Sequence, residues 1–108
     1  SMKILTKPIL NQLIANVGKE DIEPVVKLFG GGACTWLFTE YNPETDLFFG
    51  LCDLGQGFPE LGYVSKSELE DIRFPPFGLP VERDRHWTAK KTITQYAEEA
   101  SSKGRIIA

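Results

Sequence analysis

The sequence predicts a single α+β domain. It is built as a small antiparallel sheet of four to five strands with an N-terminal helix, a short middle helix and a C-terminal helix. Three observations predict it. Apolar residues near the N-terminus recur at helical spacing, residues 25–64 hold short β-prone runs divided by turn residues, and hydroxyl caps announce two later helices. With 108 residues the chain supports one modest core and has no room for a second. The domain is read as 2–108, because Ser1 before Met2 reads as a remnant of tag cleavage.

Thr6-Lys7-Pro8 opens the first helix, with a hydroxyl N-cap followed by a proline where a missing N–H costs nothing. Ile9, Leu10, Leu13, Ile14 and Val17 form one stripe, and Gly18 ends it, giving a helix over about 7–17. A strand over 25–29 follows and the glycines at 30–32 break it. Strands over 34–41 and 47–53, joined by Asn42-Pro43-Glu44-Thr45, predict an antiparallel hairpin. Cys34, Trp36 and Phe38 fall on one face, and Thr35, Leu37 and Thr39 on the other. Pairing Tyr41 with Asp46 places Cys34 opposite Asp53 and turns Cys52 to the other face, so no disulfide is expected.

Leu61 to Val64 reads as another strand. Ser65 through Glu68 is a capping box that opens a helix over about 66–72. Phe74 to Pro80, rich in proline and aromatics, predicts an ordered apolar loop across the sheet edge. Residues 81–87 look extended, Thr92 to Gln95 is a second capping box, and the last helix ends near Gly104. The glycine-rich loop 54–60 lacks the lysine and hydroxyl of a phosphate cradle.

Composition narrows the function classes. Hydrophobic residues make up 42% and charged residues 25%, which excludes disordered and fibrous chains. No apolar run is long enough to span a bilayer, so a cytoplasmic protein with no membrane partner is expected. Two cysteines and one histidine fall short of a structural zinc site, and no cofactor is expected. Residues 40–72 hold eight acids and one base, whereas residues 73–108 hold seven bases and four acids. That polarity fits two faces with different partners, or simply two solvated faces. The acidic block also raises the possibility of a nucleic-acid mimic directed at a host defence protein.

The segment Glu82-Arg83-Asp84-Arg85-His86-Trp87 is the most informative in the chain. On a strand it sorts into two rows. Arg83, Arg85 and Trp87 form the expected partner-binding row, suited to a protein partner or to phosphate and base contacts. Glu82, Asp84 and His86 form the other row, which as an alternative would serve a metal-assisted hydrolase. The aromatics Trp36, Phe38, Tyr41, Phe48, Phe49, Phe58 and Tyr63 are read as core before pocket lining. No catalytic constellation is expected, since the serines at 65 and 67 have no histidine nearby in sequence.

Several segments are familiar together. Lys3-Ile4-Leu5-Thr6-Lys7 is followed by Trp36 and Thr39-Glu40-Tyr41. Leu47-Phe48-Phe49-Gly50-Leu51, Glu60-Leu61-Gly62-Tyr63 and Ser67-Glu68-Leu69-Glu70 come next, and Gly78-Leu79-Pro80-Val81-Glu82-Arg83-Asp84 closes the series. In this order the chain resembles the bacterial proteins known as domain of unknown function 2958, from Lys3 to about Trp87. The resemblance implies a short bacterial protein associated with plasmids and other mobile elements, and it carries over no catalytic residue. The chain departs from that pattern at Gly30-Gly31-Gly32-Ala33, where a longer polar loop with an aromatic is expected. Together these readings predict a non-enzymatic interaction module.

Overall fold

The computed structural model describes residues 4–108; the remnant assigned to Ser1 and the Lys3 of the resemblance lie outside the described residues. Helix α1 spans Lys7–Ala15, with Thr6 Oγ1 accepting from Ile9 N at 3.4 Å as its cap. It stops two residues short of the expected end. Asn16, 4% exposed, turns inward and donates its side-chain amide to Thr39 O at 3.0 Å. Val17, at the end of the stripe, is left 40% exposed.

The strands are β1 (Val26–Gly30), β2 (Cys34–Asn42), β3 (Leu47–Asp53), β4 (Glu60–Ser65) and β5 (Glu82–Arg83). They form one sheet in the order β4-β3-β2-β1-β5, with every pairing antiparallel. Helix α2 spans Lys66–Asp71 and α3 spans Ile93–Lys103. Three helices on a five-stranded antiparallel sheet make a single compact α+β domain.

The β2–β3 register differs from the expected one. Asp46 takes a left-handed φ of 60° and belongs to the turn, so pairing begins at Asn42 and Leu47. A bulge between Phe38 and Glu40 then shifts the ladder by one residue. Trp36 therefore faces Cys52, and Cys34 faces Gly30 of β1. Both thiols lie on the same face, contrary to the expected split, and both are free. The bulge also returns Tyr41 to the Phe38 side of the sheet, where it tilts against Phe48 at 5.1 Å.

The two faces carry separate cores. On one, Val26, Leu28, Trp36, Phe38 and Phe48 meet Leu13 of α1 and Leu69 of α2. Phe38 and Phe48 stack at 4.4 Å with 4° between their planes. On the other, Leu37 and Leu51 meet Ile93, Tyr96 and Ala100 of α3, with Ile106 from the tail. Alternation along β2 thus feeds both layers, as the sequence predicts up to the bulge. Of the expected core aromatics, Phe58 and Tyr63 lie outside, 78% and 67% exposed.

The 74–80 loop closes on itself through Phe74 and Leu79, and the Phe74 ring packs where side chains at Gly30 and Gly31 would stand. The glycine run that ends β1 thus makes room for an aromatic from another part of the chain.

Candidate functional site

The 82–87 segment does not stay extended. Glu82 and Arg83 pair with Phe29 and Leu28, Asp84 N donates to Lys27 O at 3.0 Å, and the ladder ends there. Arg85 and His86 then form a turn closed by Trp87 N donating to Asp84 O at 3.3 Å. The turn breaks the two-residue period, so neither expected row exists as a row.

The six residues separate into two groups. Glu82, Arg83 and Arg85 line a 210 Å³ hollow beside Ile4. Arg83 is committed there, its Nε donating to the Ile4 carbonyl, whereas Arg85 is exposed. Asp84, His86 and Trp87 instead line an open cleft of about 580 Å³ against α3.

That cleft has an aromatic wall, with the Trp87 and Tyr96 rings tilted 6.1 Å apart. Trp87 is half-buried and Tyr96 is buried among the α3 core residues, so the wall is fixed from behind. Tyr96 OH accepts from Lys90 N at 3.0 Å and ties the 88–91 loop to the helix. Lys91 Nζ lies 5.6 Å from the Tyr96 ring centroid and 2.6 Å from Glu99 Oε1. Across the cleft Asp84 sits 3.7 Å from Lys27 Nζ, which also donates to Ala108 O at 2.8 Å. Asp84 and Glu99 each therefore offset a lysine.

Tyr96, Lys91 and Glu99 enter the site from α3. In the sequence Tyr96 reads only as part of a helical stripe, and the one hint was Lys90-Lys91 just before the Thr92 cap. Among the described residues no three His, Cys, Asp or Glu side chains come together to hold a metal ion. Glu82, on the far side of the β5 turn, is not brought to Asp84 and His86.

The acidic block is also dispersed. Asp53 is 3% exposed and accepts from Gly55 N and Ile106 N, while Asp46 accepts from Tyr41, Ser65 and Ser67. Two of its eight carboxylates are thus spent on internal bonds rather than displayed. Burial pushes the Cys52 thiol up to about 11, and burial followed by the charge of Asp53 raises Cys34. No helix among the described residues is long and apolar enough to cross a membrane.

No curated protein and no solved structure matches the chain. A family model described as "Protein of unknown function (DUF2958)" matches residues 4–107, and the chain belongs to that family.

Proposed function

We propose that the protein is a non-enzymatic interaction module of the bacterial cytoplasm, carried by mobile elements, that binds a protein partner at the Trp87 cleft. The observation that carries this reading is the Trp87–Tyr96 wall, beside which Lys91 is paired with Glu99 and Asp84 with Lys27. An aromatic wall backed by the core has the composition of a protein-binding hot spot, and Arg85 stands exposed in the neighbouring hollow. Phosphate backbones demand several uncompensated cations, and of the two lysines lining the cleft Lys91 is matched by Glu99, which among the described residues leaves Lys90 alone. That favours a polypeptide over nucleic acid. Within the expected trio, Trp87 and Arg85 contact the partner, and Arg83 positions the β5 turn through the Ile4 carbonyl.

The test is a tagged pull-down from bacteria carrying the native element, with and without nuclease, read by mass spectrometry. One partner that survives nuclease and is lost by roughly tenfold in Trp87→Ala and Arg85→Ala supports the reading. A partner that nuclease removes points to nucleic acid, and retention by both variants removes the cleft as the site.

A further inference from the structure

We infer that β4 is a docking edge that accepts an extended strand of a partner protein whose alternate residues are apolar and basic. β4 pairs only with β3 and stands at the outer end of the sheet. The hydrogen bond from Lys66 N to Asp46 O, 2.9 Å, fixes the phase of that ladder. In the observed register Val64, Gly62 and Glu60 then bond to β3, and the N–H and C=O groups of Leu61 and Tyr63 point outward. Among the described residues no hydrogen bond reaches those groups.

Edges that must stay unpaired are guarded by lysine, proline, bulges or cover. Between Pro59 and Lys66 the strand Glu60-Leu61-Gly62-Tyr63-Val64-Ser65 has no lysine or proline of its own and one charge, Glu60 at its start, and it pairs with β3 without a register shift. The same two residues that offer backbone groups also expose apolar side chains, Leu61 at 41% and Tyr63 at 67%. Phe49 backs Tyr63 at 4.9 Å between ring centroids. An added strand therefore sets its apolar residues beside Leu61 and Tyr63.

The other face selects charge. There a groove of about 710 Å³ runs between β4 and α2, and Glu60 and Glu68 are the charged residues lining it. Gly62 lies between Glu60 and Val64 with open space where a side chain would stand, so a long side chain crosses the strand at that point. Lysine or arginine fits this notch and meets both carboxylates. A second copy of the chain is disfavoured as occupant, because it brings its own Glu60 to an edge already lined by two acids.

The test uses the full chain with two decapeptides, one alternating valine and lysine, the other alternating valine and glutamate. Amide exchange at Leu61 and Tyr63 is expected to slow by roughly tenfold with the lysine peptide only, and the effect to weaken in high salt. Tyr63→Pro removes an outward donor while sparing the β3–β4 bonds, and abolishes the protection. Should that variant fail to fold, Glu60→Lys with Glu68→Lys is expected to turn the preference to the glutamate peptide. An equal response to both peptides overturns the proposal. So does protection that grows with protein concentration alone alongside a dimer in sedimentation, which would make a second copy the occupant. Arg85→Ala, beside β5 at the opposite end of the sheet, leaves these readouts unchanged, which separates this edge from the partner site proposed above.

Discussion

Asp46 joins the hairpin to the second helix through one side chain. Its carboxylate accepts from Tyr41 OH at 2.8 Å, Ser65 Oγ at 3.1 Å, Ser67 Oγ at 2.6 Å and Ser67 N at 3.1 Å. The Ser67 hydroxyl foremost, then the Tyr41 hydroxyl, hold its pKa down from 3.8 to about 2. Because the folded value is depressed, these bonds stabilise the fold above pH 3.8, and the stabilisation is lost as pH falls through about 2. Asp46→Asn keeps a residue that tolerates the left-handed φ of 60° while removing the charge. It is expected to lower Tm near pH 6, and the gap from the parent protein is expected to narrow between pH 4 and pH 2. A gap constant with pH in thermal melts would show that the bonds do not depend on ionisation. None of this was legible in the sequence, where Asp46 reads only as the partner of Tyr41 at the head of the hairpin.

At the scale of elements, α1 and the β2 bulge are one device. The bulge after Phe38 leaves the Thr39 carbonyl out of the ladder, and Asn16 fills the gap, its own Oδ1 accepting from Gln12 Nε2 at 2.8 Å. Asn16→Ala leaves a buried carbonyl unsatisfied and is expected to cost about 1–3 kcal/mol in urea unfolding. A loss below about 0.5 kcal/mol would mean that the bulge does not need the helix. The bulge lies over Gly50, where a Cβ would collide with the Leu37 carbonyl. A substitution there strains the backbone itself. The stripe, the cap and the strands were legible because they are local patterns. The bulge was not, since it depends on what lies across the sheet.

The whole molecule is a sheet covered on both faces, and the C-terminal tail closes the second cover. Asp53, buried on β3, accepts from Ile106 N at 3.0 Å, and Ile106 itself is 8% exposed against α3 and the sheet. At the other end of α3, Asp21 accepts from the Thr94 hydroxyl at 2.6 Å, and Ile93 N donates to Ile22 O at 2.9 Å. Removing residues 105–108 exposes the Leu37 and Leu51 side of the core and leaves Asp53 short of a donor. Burying an isoleucine is worth roughly 1.5–3 kcal/mol. At this chain length the truncation is therefore expected to lower Tm by roughly 10 °C. Arg105→Ala, at an exposed position, is expected to leave Tm unchanged, and an equal loss in the two would refute the clasp.

By itself the sequence determined the α+β class, the helices and the strands, because each rests on a period, a cap or a turn residue within a few positions of itself. Tertiary structure alone decided the register, the shared face of the two thiols, and the division of the 82–87 segment between two hollows. Each of these is a competition between distant groups. Asp46 gives up the expected pairing with Tyr41 and bonds Ser65 and Ser67, Asn16 leaves its helix for Thr39, and β5 ends once Asp84 has used the last carbonyl that β1 offers it. Hydrogen bonds that join residues far apart in sequence leave no local period, so only the folded chain reveals them.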